Sequence, residues 1–162
     1  MTTRRACLLA GLGAALSGAA RGAAPPPPIA WPALTLLDGT RVEPSTWQGT
    51  PAIVVLWATT CPFCKRHNAH LDKLQRSLTG RPPRILAAAL DTDADAVRRY
   101  MADNRYSFPV TMEGAKLRAL LTTRRVIPMT FVVDRAGRLR DAIAGEMFEE
   151  DVFDLVEAAR AA

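Results

Sequence analysis

Two cysteines with two residues between them, Cys61-Pro62-Phe63-Cys64, are the side chains of this sequence best suited to covalent chemistry, and His67 and His70 follow at the same interval. On a helix, Cys-x-x-Cys spacing sets the second sulfur about one turn beyond the first, within reach of an S–S bond. A crosslink closing so short a loop is a poor staple, because the stabilisation a disulfide gives grows with the loop it closes. A metal site across all four residues fails on geometry. Each step of three residues turns the side chain by about 60° and climbs about 4.5 Å, so Cys61 and His70 finish far apart on different faces. A Cys61-Cys64-His67 set remains thinkable but lacks a fourth ligand of the usual kind. Haem attachment needs histidine directly after the second cysteine, where this chain has Lys65. The chemistry left is a disulfide that forms and breaks.

Such a pair works when one sulfur is activated. Ala52–Trp57 (AIVVLW) is a continuous apolar run with β-branched residues, as expected of a central strand covered on both faces. Pro62 then suits a first helical position, and Leu71, Leu74 and Leu78 recur at helical spacing until Gly80 and Pro82 stop the pattern. Cys61 therefore falls at a helix N-terminus, where unpaired N–H groups and the helix dipole favour a thiolate. Cys61 is the expected attacking thiolate and Cys64 the resolving thiol.

The flanking elements must hold that junction. Thr35-Leu36-Leu37 and Arg41-Val42 flank Asp38-Gly39, a hairpin-turn dipeptide. Ile85–Leu90 reads as a second buried strand, Asp91–Asp95 as caps of a helix carrying Val97, Met101 and Asn104 on one face, and Phe108–Met112 as a short strand. Leu117, Leu120 and Leu121 mark a short helix. Thr130–Asp134 and Leu139–Ile143 flank Arg135-Ala136-Gly137 as a hairpin, and Val152, Leu155, Val156 and Ala159 stripe a last helix. The expected class is α/β, a mixed sheet with helices on both faces.

The chain has 162 residues, enough for one ordinary core. Arg4 and Arg5 precede an apolar run from Ala6 to Ala20, with Gly22, Ala23 and Ala24 behind it, the layout of a removable export signal over residues 1–24 with a twin-arginine character. The run falls short of the roughly 20 apolar residues a membrane-spanning helix needs. Residues 25–32 read as a proline-rich spacer and 33–162 as the folded domain. Cleavage takes Arg4, Arg5 and Arg21 and no acid out of a formal charge of +5, which leaves a nearly balanced chain without the basic stripe that nucleic acid requires. Cys7 leaves with the signal, so the mature chain keeps one cysteine pair, suited to an oxidising compartment outside the cytoplasm, such as the periplasm.

Trp57-Ala58-Thr59-Thr60-Cys61-Pro62-Phe63-Cys64 together with Ile127-Pro128-Met129-Thr130-Phe131 resembles the thioredoxin superfamily, its TlpA-like exported branch above all, from about Ala33 to the end. The resemblance implies a three-layer thioredoxin-like fold and no cofactor. It makes Pro128 a cis-proline facing the cysteines and, with Thr60, Pro62, Phe63 and Ile127, part of the substrate-binding surface. It also implies a monomeric reductant of protein disulfides, active in cytochrome c or copper-centre maturation and re-reduced by a membrane electron donor. Three positions depart from the pattern. Thr60 replaces a tryptophan, Val55 stands where cytoplasmic thioredoxins carry a buried aspartate, and His67 stands where the branch commonly has glutamate. His67 is then either a replacement proton-transfer group, since imidazole titrates near neutrality, or a solvent-facing helix residue. His70, Lys65, Arg66 and the pair Arg124-Arg125 are expected at the surface, the last able to orient an acidic partner. Two rival readings use the same cysteines: a copper metallochaperone holding the ion with Cys61, Cys64 and His67, and a protein-folding thiol oxidase. A peroxide-reducing enzyme is disfavoured, because Val54–Thr60 lacks the proline and threonine cradle of that chemistry.

Overall fold

The computed structural model describes residues 25–160; the expected export signal over 1–24 lies outside them. Its central element is β3 (Ala52–Trp57), buried at every position as its unbroken apolar run requires. β4 (Arg84–Ala89) runs parallel to it on one side, and β6 (Met129–Val133) runs antiparallel on the other. β5 (Val110–Thr111) extends the sheet beyond β4, and β7 (Leu139–Ala144) pairs with β6 through the Gly137 hairpin, which gives the order β5-β4-β3-β6-β7.

Side chains alternate across β3, so the sheet builds two cores. Ile53, Val55 and Trp57 face α1 (Pro62–Leu78), α4 (Glu149–Arg160) and Val97 of α2 (Ala94–Asn104), whereas Val54 and Leu56 face Leu117 and Leu121 of α3 (Gly114–Leu121). The result is the three-layer mixed sheet, covered on both faces, that the sequence pattern implies. No helix among the described residues is long and apolar enough to cross a membrane.

The N-terminal hairpin is narrower than its sequence suggests. Only β1 (Leu34–Thr35) and β2 (Arg41–Val42) pair with each other. Leu36 instead bridges Thr111 and the Leu37 N–H donates to the Val110 carbonyl at 2.7 Å, so the hairpin is stitched to the β5 edge. β5 itself shrinks to two residues because Pro109 has no N–H to offer a ladder; Phe108 turns into the core. A 3-10 turn over Pro44–Trp47 brings Trp47 under Trp31, the rings 4.8 Å apart. The Ile29 N–H donates to Gly137 O at 2.7 Å, so the body is already docked within the segment expected as a spacer.

One glycine is fixed by close approach. A Cβ on Gly114, at the start of α3, would lie 2.2 Å from the Ala89 carbonyl oxygen at the end of β4. Gly114→Ala must therefore push α3 off the sheet, at an expected cost of about 1–3 kcal/mol in urea unfolding; an unchanged midpoint would show that the helix yields freely.

Candidate active site

β3 ends at Trp57 and α1 begins at Pro62, so four residues make the turn that presents Cys61. That turn is tied at its base. The Thr59 N–H and hydroxyl both donate to the Asp91 carboxylate just past β4, and the Cys61 N–H donates to Ala58 O at 3.2 Å. Sequence reading grouped Asp91 with the caps of α2. The capping oxygen belongs to Asp93, which accepts from the Asp95 and Ala96 N–H groups, and Asp91 serves the cysteine loop instead.

Cys61 is itself the N-cap of α1, with extended backbone dihedrals, and its sulfur accepts the Cys64 N–H at 3.1 Å. A backbone donor and the helix dipole therefore both point at that sulfur. Cys61 is half-buried and Cys64 fully buried, both as free thiols. Burial, reinforced by hydrogen bonding to the Cys61 sulfur, pushes the Cys64 thiol far up from its ordinary pKa. The two sulfurs are thus differentiated: the outer one accepts the Cys64 N–H and donates to the Ile127 carbonyl, and the inner one is held protonated.

Across from them the Ile127–Pro128 peptide bond is cis, Pro128 is buried, and Ile127 O lies 3.9 Å from Cys61 Sγ. Thr60 and Pro62 are exposed, and Phe63 is 54% exposed, with the Arg66 guanidinium 5.2 Å from its ring centroid. Arg66, expected as merely solvated, is clamped by both oxygens of Glu146. Val126, next to Ile127 in the chain, is 45% exposed.

His67 corrects the solvent-facing expectation, since it is completely buried. Its Nδ1 accepts the Met147 N–H at 3.4 Å, so Nε2 carries the hydrogen and donates to Thr130 Oγ1 at 3.2 Å. Burial, with His70 nearby, lowers its pKa to about 4, and the ring is neutral at physiological pH. The reason is geometric: α1 is buried by the sheet on one side and by α4 and the Met147 loop on the other, so its hidden arc exceeds the leucine stripe. His70 is half-buried, its Nδ1 3.2 Å from Glu149. Among the described residues no three histidine, cysteine or acidic side chains gather as a metal site.

A dithiol with one half-buried and one sealed sulfur, at the strand-to-helix junction of this sheet, defines a thioredoxin-superfamily thiol-disulfide oxidoreductase of the TlpA/ResA-like kind, a class that acts on protein thiols and disulfides. The chain belongs to the Redoxin family, whose model it matches over residues 26–158. It is 25% identical over 121 residues to the thiol-disulfide oxidoreductase ResA of Bacillus thuringiensis subsp. konkukian, covering 74% of this chain and 69% of that one. Among solved structures it is similar to a thiol:disulfide interchange protein from Chlorobium tepidum TLS, with a TM-score of 0.77 at 24% identity over 85% of this chain and 98% of that one. It is also similar to a secreted thiol-disulfide isomerase from Corynebacterium glutamicum, with a TM-score of 0.65 at 22% identity over 76% and 80% of the two chains.

Proposed function

We propose that this enzyme is an exported reductant of protein disulfides. The single observation that carries the reading is the contrast between the two sulfurs: the Cys64 N–H donates to Cys61 Sγ while Cys64 is sealed and kept as a thiol. Cys61 thiolate attacks a partner disulfide, one partner sulfur leaves as a thiolate and takes a proton, and a mixed disulfide remains. Cys64 then loses its proton and attacks the Cys61 sulfur, which releases the second partner sulfur and leaves the Cys61–Cys64 disulfide for an external donor to reduce. Phe63 and Val126 give an incoming peptide apolar contact. Thr60, Pro62, Ile127 and Pro128 border an extended backbone laid beside Cys61.

Export is supported by the arginine, apolar and small-residue order of residues 1–24 and by the secreted relative. An extracytoplasmic site of action, a membrane electron donor, a monomeric state and a role in cytochrome c or metalloprotein maturation complete the proposal. The reductant direction is supported by an uncharged Pro62-Phe63 pair between the cysteines. The copper-holding alternative is weakened because both ring nitrogens of His67 are engaged. The same engagement leaves His67 no free nitrogen to receive the Cys64 proton, and we assign it to tying α1 to β6 and the Met147 loop.

The equilibrium redox potential of Cys61/Cys64 in glutathione buffers tests the direction. A reductant is expected near the thioredoxin value of roughly −270 mV, while a value near roughly −120 mV would make the protein a folding oxidase.

A further inference from the structure

Beside Cys64 lies a second group of buried polar atoms, which neither the thiols nor His67 use. Asn68 follows Cys64 by one helical turn and is fully buried, yet neither atom of its carboxamide has a hydrogen-bond partner among the described residues. The Tyr100 hydroxyl on α2 and the Trp57 indole N–H at the end of β3 are buried in the same condition. These groups adjoin. The Tyr100 ring is 5.1 Å from that of Trp57, and burial raises the Tyr100 hydroxyl pKa to about 12, with Tyr106, Asn68 and both cysteines near enough to act on it. The Tyr106 ring lies 6.0 Å from Tyr100, and its hydroxyl donates to Lys65 O at the surface. The polar groups thus run from the sealed sulfur to solvent.

Unpaired amide and hydroxyl groups in an apolar core are costly, and native cores satisfy them with protein or with buried water. A buried water makes about three hydrogen bonds, and this cluster offers a carbonyl, an amide, a hydroxyl and an indole N–H. Cys64 also needs an outlet for its proton, since Val55 is apolar and His67 is fully engaged.

We propose that Asn68, Tyr100 and the Trp57 indole enclose a water site that carries the Cys64 proton toward Tyr106 and solvent during the resolving step. The inference deepens the thiol-exchange reading and rests on it. In that step the Cys64 S–H bond breaks and its proton passes to the bound water and on to solvent. The Cys64 thiolate forms a bond to the Cys61 sulfur, and the bond from Cys61 to the partner sulfur breaks with its electron pair leaving on the partner. Asn68 acts as a positioning residue.

Dithiobis-nitrobenzoate separates the two steps in a single turnover, because Cys61 attack frees one nitrothiobenzoate and Cys64 attack frees the second. A Cys7→Ser background in the full chain confines the signal to the site. Asn68→Leu replaces the amide with hydrocarbon and is expected to slow the second release about tenfold or more at pH 7, less than the roughly hundredfold of direct acid–base catalysis because Asn68 only positions the water, with the first release unchanged. The deficit closes as pH rises and hydroxide takes the proton. Asn68→Ser keeps a polar group and leaves room for water, so it is expected within about threefold of the parent, and Tyr100→Phe, which deletes only a hydroxyl, is expected to slow the second release alone. Should Asn68→Leu fail to fold, Tyr100→Phe decides. A second release unchanged in these variants, equal in the Leu and Ser variants, or slowed only together with the first, overturns the water route while leaving the exchange cycle standing. A parent protein that gives the first release and never the second removes the cycle itself.

Discussion

Reduced Cys64→Ser protein, mixed with an oxidised protein substrate, accumulates a covalent adduct on Cys61, and Cys61→Ser protein neither turns over nor forms one. The asymmetry follows from the site. Cys61 is half-exposed at the head of α1 with a backbone donor on its sulfur, so it meets the substrate unaided. Cys64 is fully buried, and in the proposed cycle its one task is attack on Cys61 from beneath. Removing Cys64 leaves the first exchange intact and blocks release, whereas removing Cys61 deletes the one cysteine sulfur among the described residues that is not sealed. Insulin-reduction turnover is expected to fall by a factor on the order of 10³ or more in either variant, since residues acting as a unit do not compensate for one another. Non-reducing gels read the difference between them: a thiol-sensitive adduct band with Cys64→Ser and none with Cys61→Ser. With Cys7→Ser in both proteins, adducts with both variants would mean that Cys64 is accessible and that the division of labour is wrong.

The second large effect lies in acid. His67 has an ordinary pKa of 6.5 and a folded value of about 4, lowered by burial and then by His70. Between those values the unfolded chain binds a proton that the folded chain refuses, so stability must fall as pH drops from 6.5 to 4, and the penalty is complete below the folded value. A shift of that size corresponds to about 3 kcal/mol. Glu146 attracts the protonated ring and trims the penalty. Asp72, Glu113 and Glu146 also have lowered pKa values and weaken the fold at acid pH, but they do so in any variant that keeps them. His67→Gln isolates the ring. The variant is expected to be less stable at pH 7, having lost the contacts to Thr130 and Met147, and to lose about 3 kcal/mol less than the parent between pH 6.5 and 4 in urea unfolding. Parallel stability curves for the two proteins would show that the buried ring accepts its proton in place.

Elements specified by one dominant pattern were legible in the sequence. The strand Ala52–Trp57 is an unbroken apolar run because both faces are covered, and the helix starting at Pro62 announces itself by proline, leucine spacing and a glycine stop. The cysteine pair needed only its spacing and that junction. Features that depend on long-range pairing were hidden. The buried arc of α1 includes His67, Asn68 and Asp72, which an apolar-periodicity reading assigns to solvent. Asp72 is there to receive the Ser107 N–H and hydroxyl from 35 residues away, and nothing near it in the sequence reports that. Asp91 was visible as a loop residue, but its partner Thr59 lies across the sheet, 32 positions earlier. The Pro44–Trp47 turn is too short for any periodicity and owes its position to the Trp31 ring above Trp47.

The docking of Ile29 against Gly137 sets a direction for the whole molecule. In the sheet register Leu56 pairs with Met129 at the cysteine end and Ala52 with Val133 at the opposite end, toward the hairpin that receives Ile29. Whatever precedes the folded body thus joins it at the pole opposite the dithiol. A chain held at a surface through its leading residues would present Cys61 outward, and lengthening or shortening the proline run would change its reach and leave the site untouched.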